Sequence, residues 1–483
     1  MGLVVYWILA WFLRLVTRVF FRQVEVAGLE NVPVTGPVLF AGNHPNSLID
    51  PILIITTCGR KVHFAAKDTL FAGRIMRAVL GGLGAVPLAR KIDRDGEPSA
   101  AHPGPETSPP APARDAGERG KVNDAAFEHM FGVLEAGGTI GIFPEGLSHD
   151  ESQLAKLKTG AARLALGAAA RTGGPIAVVP CGLTFIHPKR FRSRVLVQYG
   201  PAVQVAPPTP APDAAPAPDH VKAVTDEIAA ALRRLTINAP DWETVRALDT
   251  VRRLYQPPEI SIEERVELAR RFNTHYGALA TDPRVLELMA RVRAYRDRLD
   301  ELGVSDRELA RDLSKLEVGA RMLRHLALVA WWLPLCVPGA PLHLPTVVFA
   351  RIAGPRLTPR KDVIATTKLL IGLLLVMLSY GAAIAVVAWQ AGLPWALLAA
   401  AVLPLSGLAT LRVLDRLRLV QRGFGVLARR LRFRREVRAL RLERAQLSAD
   451  VVRIVTEVKP RELPALFPPD HPDRLEVYHG ARP

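Results

Sequence analysis

Residues 369–389, LLIGLLLVMLSYGAAIAVVAW, run for 21 positions without a charge, and residues 392–411, GLPWALLAAAVLPLSGLATL, add 20 more after Gln390 and Ala391. A helix of about 20 residues crosses a bilayer core of about 30 Å, so the two runs predict a membrane hairpin. The stretch 326–350 is also apolar but carries Pro334, Pro338, Pro341 and Pro345. A re-entrant or interfacial element is expected there, within a membrane region spanning 326–411. Arg351, Arg356, Arg360, Lys361 and Lys368 precede the hairpin, and twelve arginines lie in 412–444. The positive-inside rule makes both flanks cytoplasmic and 412–483 an Arg-rich cytoplasmic tail. Lys plus Arg number 63 against 46 Asp plus Glu, a formal net charge of +17. Next to a membrane hairpin, that excess fits anionic lipid better than nucleic acid. The stretch RRLRFRREVRALRLERAQL (429–447) can also be read simply as a solvated juxtamembrane helix.

The chain begins MGLVVYWILAWFLRLVTRVFF, with no basic segment ahead of the apolar run and no small-residue cleavage site after it. Arg14 and Arg18 interrupt the run at helical spacing, which predicts an interfacial or anchor helix over 1–22. Residues 23–205 then alternate β-branched runs with helical stretches. Strands are expected at 23–26, 38–43, 61–66, 139–144, 176–183 and 195–200, and helices at 70–83 and 158–173. This pattern predicts an α/β domain with a largely buried sheet. A Pro/Ala-rich stretch at about 93–120 has too little apolar content to fold and is expected to be a disordered insertion. APPTPAPDAAPAPD (206–219) is expected to be a linker. Residues 220–325 show apolar positions at three- and four-residue steps and predict a charged helical region. Cys58, Cys181 and Cys336 are far apart and provide neither a zinc spacing nor a disulfide framework.

GNHPNSLIDPIL (42–53) sets His44 six positions before Asp50, just after a strand candidate. Active-site groups of α/β folds gather at such strand ends. A lone histidine near a carboxylate is more often a packing or capping residue than a chemical one. Three further signals in the same domain change that balance. GAVPLAR (84–90) ends in Arg90, FPEGLS (143–148) ends a strand in a Pro-Glu-Gly turn, and VVPCGL (178–183) places Pro180 at another strand end.

In this order, NHPNSLID, GAVPLAR, FPEGLS and VVPCGL resemble the four motifs of the glycerolipid acyltransferases, over roughly residues 20–205. These are the glycerol-3-phosphate and 1-acylglycerol-3-phosphate acyltransferases. One departure is that five residues, Pro45 to Ile49, separate His44 from Asp50 where the family's usual motif has four. That spacing, Asn46, and the helical stretch NAPDWETVRALDTVRRLY (238–255) resemble the branch that includes fungal-type glycerol-3-phosphate/dihydroxyacetone-phosphate acyltransferases. The resemblance implies a glycerolphosphate-acyltransferase-like α/β sheet flanked by helices, followed by a helical region and a C-terminal membrane hairpin. It further implies acyl transfer from a thioester of coenzyme A or acyl carrier protein to the sn-1 hydroxyl of glycerol 3-phosphate or dihydroxyacetone phosphate, among membrane lipids.

The residue types suit that chemistry. Neutral imidazole can take the hydroxyl proton near pH 7, and a carboxylate on the other ring nitrogen fixes its tautomer. His44 is therefore the expected base and Asp50 its partner. Arg90 is the expected phosphate ligand. Glu145 and Gly146 resemble the acceptor turn, with Glu145 expected to bond a glycerol hydroxyl or to position Arg90. Asn46 and Lys158 are expected beside the substrate, Arg163 on weaker grounds, and Pro180 is expected to wall the acyl donor. Ser148 lacks the small-residue elbow of a hydrolase nucleophile and is expected to be structural. His149, Asp150 and Glu151 lack the ligand spacing of a metal site and are expected to be solvated. No metal or redox cofactor is implied. A lysophospholipid acceptor and a non-catalytic lipid-binding protein are the competing readings.

Overall fold

The computed structural model describes residues 2–88, 116–208, 217–257, 260–310, 315–358, 360–458 and 467. The chain divides into two units, Met1–Thr236 with Ala353–Leu369, and Ile237–Ile352 with Leu370–Pro483. The first unit runs α1 (Gly2–Phe20), β1 (Gln23–Ala27), β2 (Val38–Gly42), α2 (Ile49–Thr57), β3 (Val62–Lys67), α3 (Arg74–Gly82) and β4 (Val86–Leu88). It continues through α4 (Ala116–Glu135), β5 (Thr139–Ile142), α5 (Gly160–Thr172), β6 (Ile176–Phe185), β7 (Arg194–Tyr199), β8 (Val203–Val205) and α6 (Pro218–Arg233).

The strands form one mixed sheet in the order β1-β7-β6-β2-β5-β3-β4, with β8 also on β6. β6, β2, β5, β3 and β4 are parallel neighbours. β7 and β8 run antiparallel to β6. Side chains alternate faces along a strand. In β2, Leu39 and Ala41 therefore join the core with α4, α5 and α6, while Val38 and Phe40 join the core with α1 and α2. Helices thus cover both faces of the central strand, whose five residues are all buried. The two strands the sequence did not disclose, β4 and β8, are three residues each, too short for a periodic signal.

Two expected boundaries move. Residues 116–120 of the expected insertion are the start of α4, and the rest of it, to 115, lies outside the described residues. Residues 209–216 of the expected linker also lie outside them. Helix α6, expected to open the helical region, belongs to the sheet unit. Its Val221, Val224, Ile228 and Leu232 recur at helical spacing and cover β6 and β8. Helix α1 buries Tyr6, Ala10 and Phe20 and exposes Val4, Ile8, Trp11 and Leu15 on its other side. All three cysteines are free and buried.

The other helices are α7 (Trp242–Tyr255), α8 (Ile262–Leu279), α9 (Pro283–Glu301), α10 (Asp306–Ala310), α11 (Lys315–Cys336), α12 (Ala340–Leu357), α13 (Ile364–Ala391), α14 (Leu393–Arg432) and α15 (Arg434–Val458). Among the described residues, three stretches are long and apolar enough to cross a membrane: Leu316–Leu357, Ile364–Ala391 and Leu393–Gly425. The first holds the expected re-entrant element. Its backbone is helical on both sides of a 3-10 turn at Val337–Gly339, where Pro338 interrupts the ladder.

The Arg-rich tail is not a simple solvated helix. Val437, Leu440, Leu447, Val451 and Ile454 of α15 share a core with Leu248 and Val251 of α7 and Val292 and Tyr295 of α9. Its arginine Arg444 meets the buried Asp306 at 2.9 Å, and its Asp450 meets Arg291 at 2.9 Å. Part of the positive charge is therefore used within the fold.

If α6 is part of the sheet unit, Leu232→Ala should destabilise that unit by about 2–5 kcal/mol, the cost of a large-to-small change at a fully buried site. A urea titration of the detergent-solubilised protein, followed by a probe on the sheet, reads this as a lower midpoint. An unchanged midpoint would detach α6 from the sheet.

Candidate active site

The parallel register Ala41↔Ile142 brings the C-terminal ends of β2 and β5 side by side. The turns that leave these two strands carry the first and third motifs, at the edge where open α/β sheets hold their ligands. Asn43 fixes the first turn, its side-chain oxygen accepting from Leu183 N–H at 2.7 Å and its amide donating to Leu183 O at 3.1 Å.

His44 follows, and its Nδ1 lies 2.8 Å from Asp50 Oδ2. The extra residue between them is absorbed locally. Ser47 adopts φ 49°, Ile49 N–H donates to Asn46 O, and Asp50 N–H donates to Ser47 O. Asp50 thereby lands in the first turn of α2, and the same Oδ2 accepts from Asn46 N–H at 2.7 Å. The five-residue spacing thus yields the same side-chain pairing that a triad needs between base and carboxylate.

Asp50 is fully buried, and its Oδ1 has no hydrogen-bond partner among the described residues. Burial holds its carboxyl well above the usual carboxylate range, the Asn46 N–H opposes this, and Glu145 and Asp362 add to it. With Nδ1 tied to Asp50, Nε2 is the proton-accepting position of the neutral ring. The imidazole stacks on Phe143, ring centroids 4.1 Å apart and planes within 8°.

Glu145 is buried, and its two oxygens are both used. Oε1 accepts from His44 N–H at 2.8 Å, and Oε2 accepts from Ala155 N–H at 2.8 Å and from His149 Nε2. His149 N–H in turn donates to His44 O at 3.1 Å. Rather than facing a glycerol hydroxyl, Glu145 here braces the turn that carries His44. His149, expected to be solvated, is half-buried against Glu145, four residues away. Its hydrogen bond to Glu145 raises its pKa, burial opposes that, and nearby acidic groups add to it.

The other expected residues fall as follows. Gly146 has φ +77°, and a Cβ there would collide with the Lys158 side chain, so glycine both permits the turn and lets Lys158 lie over it. Lys158 is exposed, and its N–H donates to Pro144 O at 2.7 Å. Asn46 is buried and spends its side-chain amide on Pro188 O at 3.2 Å, a scaffolding contact. Pro180, expected at a strand end, lies in the middle of β6 opposite Ala41. It sits where the second neighbour of β6 changes from β8, on 176–178, to β7, on 181–185, so its missing N–H breaks no ladder bond there. Arg90, two residues beyond β4, lies outside the described residues.

The sequence disclosed nothing of the site's last component. The segment Ala353–Leu369 belongs to this unit and reaches the motif turns. Thr366 Oγ1 donates to Asn46 O at 3.3 Å, Asp362 accepts from Ser148 Oγ at 2.5 Å, and Arg360 donates to Ser148 O at 3.1 Å. No local motif marks these residues; only the fold brings them here.

Residues 23–184 match the family described as Acyltransferase. Residues 247–463 match the family described as Glycerol-3-phosphate acyltransferase 2 C-terminal domain. The Saccharomyces cerevisiae protein named glycerol-3-phosphate O-acyltransferase 2 is 27% identical, over 75% of this chain and 62% of its own length. Glycerol-3-phosphate O-acyltransferase 1 of the same yeast is 25% identical, over 77% and 59%. The chain thus spans about three fifths of these relatives. Among solved structures, the 1-acyl-sn-glycerophosphate (LPA) acyltransferase from Thermotoga maritima is 20% identical, covering 44% of this chain and 71% of its own, at a TM-score of 0.29.

The His149–Glu145 pair has a pH signature. Because the folded pKa of His149 is raised above 6.5, its stabilisation is complete below that value and is lost as pH rises through the raised value. Between about pH 6 and about pH 9, stability should therefore fall more for the parent protein than for His149→Gln. Parallel slopes in unfolding titrations would remove the ion pair from the account.

Proposed function

We infer that this chain, which belongs to the glycerolipid acyltransferases, moves a fatty acyl group from a thioester to the sn-1 hydroxyl of glycerol 3-phosphate or dihydroxyacetone phosphate at a membrane. The observation that carries this reading is the buried His44–Asp50 pair, 2.8 Å apart, at the end of β2. A binding module has no use for a base oriented in this way.

In the proposed reaction the acceptor hydroxyl oxygen attacks the thioester carbonyl carbon while His44 Nε2 takes the hydroxyl proton. Asp50 keeps the other ring proton at Nδ1 and stabilises the imidazolium. Collapse of the tetrahedral intermediate breaks the C–S bond, and the leaving thiolate takes the proton back from Nε2. The products are an ester and a free thiol, and His44 is restored. Coenzyme A or acyl carrier protein serves as the carrier in the co-substrate, and no further cofactor enters the scheme. Glu145 acts by holding the His44 backbone. Gly146 and Lys158, with Arg90 following β4, would receive the acceptor's phosphate. We place the site on the cytoplasmic side, because basic residues flank the two spans at both ends.

The test is transfer from palmitoyl-coenzyme A by the detergent-solubilised protein to glycerol 3-phosphate, dihydroxyacetone phosphate and lysophosphatidate, each supplied alone. Acylation of one of the first two is expected. His44→Ala should abolish it, and Asp50→Asn should lower kcat by about a thousandfold or more, with the fold unchanged by circular dichroism. Acylation of lysophosphatidate alone would assign the second acylation instead. A fully active His44→Ala would sink the base assignment.

A further inference from the structure

The segment between α12 and α13 reaches the motif turns of the first unit from more than 200 positions further along the chain, as the Arg360–Ser148 and Asp362–Ser148 separations of 212 and 214 show. Its attachment is built rather than incidental. Ala365 and Leu369 sit in the same apolar cluster as Ile49 and Leu53 of α2. Thr366 holds the carbonyl of Asn46, and Lys368 Nζ donates to Lys189 O at 2.8 Å. These contacts fix where Arg360 stands.

The Arg360 guanidinium is held along one edge. Nη2 donates to Ser148 O at 3.1 Å, Ser148 Oγ at 3.2 Å and Asp362 Oδ2 at 2.8 Å, and Nε reaches Asp362 Oδ1 at 3.3 Å. The Asp362 side chain is 7% exposed, while that of Arg360 is 61% exposed. A buried carboxylate thus orients a largely exposed guanidinium whose Nε and Nη2 carry all of its hydrogen bonds found among the described residues. An exposed arginine ordinarily loses rotamer freedom when it binds an anion. Here the plane is set beforehand.

Its position matters as much as its orientation. Ser148 lies two residues after Gly146, over which Lys158 is folded. Ser148 is followed by His149, whose N–H donates to His44 O. Lys158 and Arg360 therefore bring two cationic groups to the three-residue stretch 146–148, whose flanking residues Glu145 and His149 are hydrogen-bonded to the backbone of His44. The nearby Lys189 is engaged with Asp150 at 2.5 Å.

We propose that Arg360, oriented by Asp362 across Ser148, is a ligand for the phosphate of the acceptor. The proposal rests on the acyl-transfer reading and adds a residue that lies outside the motif region. The ligand chemistry is a phosphate monoester, which a guanidinium edge can receive with paired N–H donors. A lipid headgroup offers related chemistry close to α13, so the experiment separates the two sources.

Steady-state rates would be measured for the full chain in a neutral detergent with palmitoyl-coenzyme A, varying glycerol 3-phosphate, for the parent, Arg360→Gln and Arg360→Lys. Arg360→Gln should raise the KM for glycerol 3-phosphate about tenfold or more, as expected for loss of a charge-assisted contact. The KM for palmitoyl-coenzyme A should stay the same, kcat should change less than about threefold, and Arg360→Lys should recover part of the affinity. Unphosphorylated glycerol, at high concentration, should be used equally by the parent and Arg360→Gln. A drop in kcat with both KM values unchanged, together with a lower unfolding midpoint, would make Arg360 a purely structural strut and overturn the proposal. An effect seen only after adding phosphatidate-containing vesicles would assign it to a lipid headgroup and overturn it equally. A parent that acylates glycerol 3-phosphate alongside an unaffected Arg360→Gln defeats this proposal alone. A parent inactive toward every phosphorylated glycerol acceptor defeats the acyl-transfer reading as well.

Discussion

Two loops that leave neighbouring parallel strands have no backbone ladder to hold them together, and the carboxylate of Glu145 joins them. Oε1 takes the His44 N–H and Oε2 takes the Ala155 N–H, each at 2.8 Å, while His149 adds a third donor. The group is 3% exposed, so losing any donor would leave buried acceptor capacity unsatisfied, which is costlier than the bond is stabilising. The imidazole position follows from this joint. The His44 backbone is pinned by Glu145 and His149, its ring is stacked on Phe143, and its Nδ1 is held by Asp50. Three independent constraints leave the ring little freedom to rotate, and that is the condition under which a general base works efficiently.

Burial of Asp50 carries an electrostatic cost that the site turns to use. In a dry position with two other carboxyl groups nearby, full ionisation is disfavoured. Pairing with Nδ1 relieves this, and it does so most when the ring becomes an imidazolium. The pair is then a buried ion pair with a second donor from Asn46 N–H. The interaction is therefore stronger when the ring is protonated than when it is neutral, which is the direction the proposed general-base role requires.

The sequence disclosed the parts of this site that are local. His44, Asp50, Glu145 and Gly146 lie in short motifs at strand ends, and the strand ends were visible because β2, β5 and β6 are continuous apolar runs. Pro180 misled, since a proline in an apolar run reads as a terminus, whereas here it fits the point where β6 changes neighbour. His149 was legible in principle, being four positions from Glu145, but on a polar loop that spacing has no helical meaning. Asp362, Arg360 and Thr366 could not have been found, because their connection to Ser148 and Asn46 is tertiary. The role of α6 was similarly hidden: its amphipathic period announces a helix but not the surface it covers. For α15 the period among the arginines did announce a buried stripe, and the weight of positive charge obscured it.

The first unit carries two elements whose chemistry points toward lipid, and they share one apolar cluster. Tyr6 and Ala10 of α1, and Ala365 and Leu369 at the start of α13, all pack in it with Ile49 and Leu53 of α2. The outward stripe of α1, with Trp11 and Ile8, suits an interface in which apolar surface is buried among headgroups. In the proposed reaction, a turn attached to that cluster would stand close to the place where an acyl thioester partitions and an acylated product leaves. There, an isolated surface cation would attract any anionic headgroup. A guanidinium paired with Asp362 carries little net charge at range and discriminates by geometry at contact. For the proposed acceptor, a small soluble phosphate taken up beside a sheet of lipid phosphates, orientation is a better filter than charge.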